Sequence, residues 1–242
     1  MTNNITALIF CAGLGTRFKP WTDKHPKALA VINGKSLLQR NVEYLQRFGI
    51  TNVIVNVHHF AGQIIDAVRQ NNGWGSHITI SDETDAVLET GGGLLFAQKY
   101  FPKNQRFITC NADILTDWNI NEMLALHEAN HPLISLAVSN RKTSRNLLFD
   151  ENVHLSGWRN NNTGEERISR AVENPIPKAY NGIAVFEYDV FNHFHLSGKF
   201  SLIDLYLDLA KNHAILGQEQ QGYKWIDVGK PESVVPAEEM FA

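Results

Sequence analysis

Residues Ala7-Leu8-Ile9-Phe10 form a short apolar run that breaks at Gly13-Leu14-Gly15-Thr16-Arg17. A run with no polar interruption reads as a parallel strand buried on both faces. Two glycines one residue apart let the chain turn sharply and bring its backbone close to a ligand. The N–H groups of such a turn can point into an anion. Arg17 and Lys27 add fixed positive charge, and an arginine can grip phosphate oxygens with two donors. The stretch Ala7–Ser36 therefore predicts a triphosphate cradle at the carboxyl end of the first strand.

Two better-known phosphate motifs do not fit. The dinucleotide fingerprint G-x-G-x-x-G needs a third glycine, where Phe18 stands. The Walker pattern would end at Gly34-Lys35-Ser36, but its first glycine would fall on Leu29. What remains is G-x-G-T-R followed by Pro20, Pro26-Lys27 and Gly34-Lys35.

The rest of the chain alternates between two periods. Leu37, Leu38, Val42, Leu45 and Phe48 mark one face of a helix that stops at Gly49. Val53 to Val57 reads as a buried strand, and Phe60, Ile64, Ile65 and Val68 as the inner face of a second helix. Ile78–Ile80 is a short strand. Glu89-Thr90-Gly91-Gly92-Gly93 opens another helix, and Arg106 to Cys110 is a strand that ends at Asn111-Ala112-Asp113. A helix over 119–130 and a strand over 133–138 follow. Such alternation predicts an α/β fold: three layers around a mostly parallel, Rossmann-like sheet. Ligands on such sheets sit outside the carboxyl ends of the strands.

The pattern changes near residue 140. Leu147–Asp150 and His154–Trp158 read as two antiparallel strands joined to a polar turn at Asn160–Gly164, and Pro175 and Pro177 punctuate the next loop. Gly182–Phe186 is a further strand, Ser201 opens a helix, and Tyr223–Gly229 precedes a short tail. With no repeat or linker, residues 1–242 read as one domain with a small antiparallel portion in its second part.

Composition excludes several classes. A net charge of −3 provides no bulk basic field for nucleic acid. No apolar run approaches the roughly 18 residues of a membrane span, and the start MTNNITALIF lacks a basic signal segment; no membrane association and a cytoplasmic location are expected. Cys11 and Cys110 lie in strand-like runs and read as reduced, buried thiols. His58 and His59, adjacent on a strand, point to opposite faces and make poor joint ligands. His193 and His195 read as solvated.

Two carboxylates stand out. Asp113 ends an apolar strand, and Asp227 sits in Trp225-Ile226-Asp227-Val228-Gly229. Both should lie at an edge of the sheet. A pair of aspartates from distant parts of the chain suits magnesium, which takes one or two carboxylates plus waters and substrate phosphates. A turn or capping aspartate is the alternative for either one alone.

The stretch Phe10-Cys11-Ala12-Gly13-Leu14-Gly15-Thr16-Arg17, Pro20, Thr22, Pro26-Lys27, Leu29 and Gly34-Lys35 resembles the signature of the sugar-1-phosphate nucleotidyltransferases. It departs at Cys11, a small near-apolar stand-in for the usual alanine. The resemblance implies that Asp113 and Asp227 hold a catalytic Mg2+. It further implies that Arg17 holds the β- and γ-phosphates of a nucleoside triphosphate and that Lys27 bridges the reacting phosphates. The nucleotide would lie on Ala12, Gly13, Leu14, Gly15, Thr16, Arg17, Glu83, Gly91 and Gly92. The sugar would lie on Asn111, Glu173, Asn181 and Gly182. Residues 1–140 are then mainly the nucleotide half and 141–242 mainly the sugar half.

The E-T-G-G-G form resembles the uridylyltransferases that act on N-acetylmuramate 1-phosphate in cell-wall recycling, so UTP and an amino-sugar 1-phosphate are the favoured substrates. Asp82-Glu83 departs from the glutamine-proline pair of thymidylyl- and many uridylyltransferases, which leaves guanylyl transfer to a mannose- or heptose-type phosphate as the alternative. Where many relatives carry Glu-Lys-Pro, this chain has Glu173-Asn174-Pro175; the expected lysine is missing, and Lys178 is a candidate replacement. A silent nucleotide-sugar sensor on the same fold is the alternative of another class. About a dozen residues follow Gly229, so one activity without an appended acyltransferase domain is expected.

Overall fold

The computed structural model describes residues 5–242; the first four residues, part of the segment read as lacking a signal, lie outside the described residues. In chain order the strands are β1 (Thr6–Phe10), β2 (Val31–Ile32), β3 (Lys35–Ser36), β4 (Asn52–Val57), β5 (His77–Asp82), β6 (Phe107–Asn111) and β7 (Ile114–Thr116). They continue as β8 (Ile134–Ser139), β9 (Arg145–Phe149), β10 (Leu155–Asn160), β11 (Glu166–Ile168), β12 (Ile176–Phe186), β13 (Ile215–Gln218) and β14 (Trp225–Asp227). The helices are α1 (Leu37–Gln46), α2 (Ala61–Gln70), α3 (Glu89–Ala97), α4 (Ile120–Asn130), α5 (Leu202–Leu209) and α6 (Val234–Met240).

One mixed sheet runs β11-β10-β9-β12-β6-β1-β4-β5, with β8 on β12 and β13 on β8. Strands β6, β1, β4 and β5 are parallel, while β12 runs antiparallel to both β6 and β8. The hairpin-like set β9, β10 and β11 forms the antiparallel portion.

Alternation along β1 divides the core. Ala7 and Ile9 face a cluster with Leu38, Val42 and Leu45 of α1, Ile64 of α2 and Met123 of α4. Leu8 and Phe10 face the other cluster, with Leu94 of α3 and Leu202, Leu205 and Tyr206 of α5. Side chains on a strand alternate between faces, so a run apolar at every position needs a layer of helices on each side. Ser36 caps α1 by accepting from the Gln39 N–H, and Ser201 and Asp204 form a capping box at the start of α5.

Three local expectations are corrected. Phe60 precedes α2 with φ of 57° and is not on the helix face. Pro177 lies inside β12, paired with Leu148 of β9; the β8 pairing begins only at Ala179, so the proline has a free side for its missing donor. Asp227 ends not the main sheet but a separate ribbon, in which β14 pairs antiparallel with β7 and Asp227 stands opposite Ile114.

Candidate active site

The loop after β1 is held from below by one side chain. Asn56 Oδ1 accepts from the Cys11 N–H at 2.7 Å and the Ala12 N–H at 3.3 Å. Its own Nδ2 donates to Glu83 Oε1 at 3.0 Å. Asn56 is the polar residue inside the buried run Val53–Val57, and that interruption was the signal that could have marked it. The two glycines differ in their reason for being there. Gly15 has φ of +60°, and an added Cβ would come within 2.8 Å of Thr22 and 3.1 Å of Lys27; Thr22 also donates to its carbonyl. Gly13 has nothing within 4 Å of an added Cβ, so it leaves room for a ligand against the backbone.

Two cavities flank this loop. One, about 280 Å³, is lined by Gly13, Thr16, Arg17, Lys27, Asn111 and Asp113, among others. The second, about 310 Å³, includes Ala12, Leu14, Asn56, Glu83, Thr90 and Lys199. Phe10, Gly13, Gly15, Thr16 and Thr90 belong to both. The sequence places Thr90 only within the Glu89–Gly93 run that opens a helix, and gives no mark at Lys199.

Asp113 lines the first cavity, and Asp227 lies near enough to feel its charge. Lys27 Nζ lies 2.5 Å from Asp113 Oδ2, both largely covered. The Val228 N–H donates to the Asp113 carbonyl at 2.8 Å, which ties the loop after β6 to the end of β14. Burial first, and then the charge of Asp113, raises the Asp227 carboxyl above its ordinary value; Lys27, Arg17 and Arg141 act the other way. An added Cβ on Gly229 would stand 2.7 Å from Asp227 Oδ1 and 3.2 Å from Arg17 Nη2. Asp227 Oδ1 is buried with no hydrogen-bond donor. Such an orphaned acceptor beside a second carboxylate is what a divalent cation would satisfy. Among the described residues no group of three or more His, Cys, Asp or Glu is gathered, so a hard cation held by two carboxylates and substrate oxygens fits better than a fully caged metal.

Glu83 is 3 % exposed at the wall of the second cavity. Burial pushes its carboxyl up to about 7, against the hydrogen bond from Asn56 and the charge of His58. His58 is hydrogen-bonded through Nδ1 to the Glu83 carbonyl, a structural use. Both cysteines are buried and free; burial pushes Cys110 up to about 12 and, with Asp113, raises Cys11 further.

The glycine run of α3 is not brought to either cavity. The N–H groups of Gly91 and Gly92 both donate to the Phe200 carbonyl, at 2.9 and 3.1 Å. A Cβ on Gly91 would strike the Phe200 ring and approach Ser201 O at 2.7 Å. A Cβ on Gly93 would stand 2.9 Å from both Asn56 Nδ2 and Glu83 Oε1. The run lets a helix end pack on the 198–201 loop and on the Asn56–Glu83 pair.

On the other side, Gly182 has φ of +81° at a register shift in β12, and an added Cβ would meet Ile114 at 2.8 Å and Asn111 at 3.2 Å. Asn181 is 1 % exposed. Its Oδ1 accepts from Ser139 and Arg141, and its Nδ2 donates to Tyr223 Oη at 3.0 Å; the amide is spent within the protein. Glu173 is exposed in the loop before β12. Lys178 is bound to Glu219 at 2.5 Å and to Asn140 at 2.8 Å. His193 pairs with Asp189, and exposed His195 with Asp208. Among the described residues no helix is long and apolar enough to cross a membrane.

Arg17, Lys27 and Asp113 gathered under a glycine loop at the carboxyl ends of parallel strands form a site suited to an anionic, phosphate-bearing ligand on an α/β sheet. The sequence model of the nucleotidyl transferase family matches residues 6–242. The chain belongs to that family and is an enzyme, a sugar-1-phosphate nucleotidyltransferase. It is 29% identical over 245 residues to the N-acetylmuramate alpha-1-phosphate uridylyltransferase of Caulobacter vibrioides, covering 98% of this chain and 96% of that protein. It is 26% identical to the mannose-1-phosphate guanyltransferase of Yarrowia lipolytica over 93% of this chain, and spans 61% of that longer protein. The fold matches the crystal structure of HddC from Yersinia pseudotuberculosis with a TM-score of 0.78 at 23% identity, covering 98% of this chain and 100% of that one.

Proposed function

We propose that the enzyme transfers a uridylyl group from UTP to N-acetylmuramate 1-phosphate or a related amino-sugar 1-phosphate, releasing pyrophosphate. The observation that carries this reading is that Arg17, Lys27 and Asp113 line one cavity with Gly13 and Gly15, with Asp227 near enough to feel all three charges. End-to-end coverage of the Caulobacter relative and the Glu89–Gly93 motif support the choice of substrates.

An oxygen of the sugar phosphate attacks the α-phosphorus, and the bond to the bridging oxygen of the pyrophosphate breaks. The nucleophile is already an anion, so no general base is needed; positioning and charge neutralisation do the work. Arg17 and the N–H groups of the loop hold the β- and γ-phosphates. Lys27, on Asp113, stands beside the reacting phosphates and offsets their charge. Asp113 and Asp227 would hold Mg2+, which when bound neutralises charge on the phosphoryl oxygens. The base would lie in the second cavity, between Leu14 and Val87, with Glu83 at its wall.

Guanylyl transfer to a mannose- or heptose-type phosphate is the second reading. The Yarrowia relative supports it. Glu83 weighs the other way: an ionised carboxylate would accept from the two neighbouring donors of guanine, whereas the protonated form that burial favours offers the donor–acceptor pair that uracil needs. The test is pyrophosphate release with magnesium, crossing UTP, GTP, CTP and dTTP against muramic, glucosamine, glucose, mannose and heptose 1-phosphates. Release confined to UTP with N-acetylmuramate or a hexosamine phosphate supports the first reading. Release with GTP and a manno-configured sugar moves the assignment to the second. Release with no pair refutes catalysis.

A further inference from the structure

We propose that Arg141 grips the phosphate of the sugar 1-phosphate, the position left without a cation where Asn174 replaces the lysine of related chains. This rests on the nucleotidyl-transfer reading above.

Three cations act on Asp227: Lys27, Arg17 and Arg141. The first two line the cavity under the glycine loop and are engaged by the triphosphate and by Asp113. Arg141 lines neither cavity and stands in the loop after β8. Its guanidinium lies over the Trp225 ring at 4.0 Å. Trp225 and Asp227 are two residues apart on β14 and therefore share one face. Trp225 Nε1 donates to the Asn181 carbonyl at 3.0 Å, and the next residue, Gly182, packs against Asn111 of the phosphate cavity. Arg141, Trp225, Asp227, Gly182 and Asn111 are thus one connected wall.

The guanidinium is preset and still has donors to give. Nε donates to Asn181 Oδ1 at 3.2 Å and Nη2 to the Tyr180 carbonyl at 2.7 Å. A guanidinium has five N–H donors, so three are left over, and among the described residues no carboxylate lies within ion-pair distance of it. An arginine fixed by an aromatic face, one side-chain amide and one backbone carbonyl, with Nη1 uncommitted, suits a phosphate monoester dianion. Lys178, the other candidate for this post, is committed to Glu219 and Asn140. The two substrates bring separate phosphates to one cation-binding carboxylate pair, and of the three cations acting on Asp227, Arg141 is the one that does not line the cavity under the glycine loop.

The test is steady-state kinetics of the full chain with magnesium, UTP and the sugar 1-phosphate of highest turnover in the panel, on wild type, Arg141→Gln and Arg141→Lys. Loss of a charged hydrogen-bonding group should raise the KM for the sugar phosphate about 10- to 100-fold in Arg141→Gln and leave the KM for UTP within about 3-fold. Arg141→Lys should recover part of the loss, because the charge returns without the fork. Competition by inorganic phosphate against the sugar phosphate should weaken in both variants, and Arg141→Lys provides this readout should Arg141→Gln fail to fold. An unchanged sugar-phosphate KM, or an equal rise in both KM values, overturns the assignment. An active wild type with an unaltered Arg141→Gln refutes Arg141 alone, whereas a wild type that releases no pyrophosphate with any pair refutes the nucleotidyl-transfer reading with it.

Discussion

Replacing Glu83 by Gln should make the protein more stable at neutral and alkaline pH, and leave it unchanged in acid. Glu83 is 3 % exposed, and its Oε1 accepts from Asn56 Nδ2 at 3.0 Å. Burial raises its carboxyl from an ordinary value near 4.5 to about 7. Between those values the folded protein keeps a proton that the unfolded chain has released. Stability therefore falls as pH rises through this window and is level above it. Each pH unit is worth about 1.4 kcal/mol for one group, so the penalty reaches at most about 3 kcal/mol above pH 7, less any relief from water at the cavity mouth. Glutamine keeps the shape and an acceptor for Asn56 but carries no charge. Urea unfolding of both proteins at about pH 4.5 and about pH 8 measures the difference, and comparing the two cancels the other titrating groups. A gap that opens with rising pH is expected. A gap of constant size, or one that closes as pH rises, would refute the argument that Glu83 is held protonated by burial.

Three further outcomes follow from the site. Asp227→Asn removes a buried carboxylate with an orphaned oxygen and an adjacent Asp113 charge; the metal-free protein should melt higher at neutral pH, lose the stabilisation that magnesium gives wild type, and release pyrophosphate at least about 100-fold more slowly. Equal stabilisation of both proteins by magnesium would sink the metal assignment. Gly91→Ala drives a methyl into Phe200 and Ser201 O and should cost about 1–3 kcal/mol of stability in denaturant melts, with the KM for UTP of the folded fraction unchanged; a selective rise in that KM would return Gly91 to nucleotide binding. Asn56→Ala leaves the Cys11 and Ala12 N–H groups unpaired and should cost about 1–3 kcal/mol while raising the KM for UTP; full stability with normal kinetics would remove Asn56 from its supporting role.

Much of the fold could be read from local pattern because burial on two faces imposes it. Residues 7–10, 53–57 and 107–110 are apolar almost without interruption, and each forms a strand of the parallel region. The Gly13–Gly15 loop was readable for the same kind of reason: Gly15 needs a positive φ, and that demand leaves its mark at one position. The wall around Arg141 left no such mark. It joins residues 40 or more apart in the chain, through the Trp225–Asn181 and Arg141–Asn181 bonds, and no period or spacing encodes those meetings.

By itself, then, the sequence determined the alternation of strands and helices, the glycine loop after β1 and the strand ends that carry the two aspartates, because short-range sterics and two-sided burial act residue by residue. Tertiary structure alone decided what the polar groups face. It put Asn56 under the loop, Gly91 and Gly92 against Phe200, Asp227 on a ribbon with β7, and Arg141 over Trp225. A buried polar atom must find a partner wherever the packed chain places one, and that partner is set by topology rather than by its neighbours in sequence.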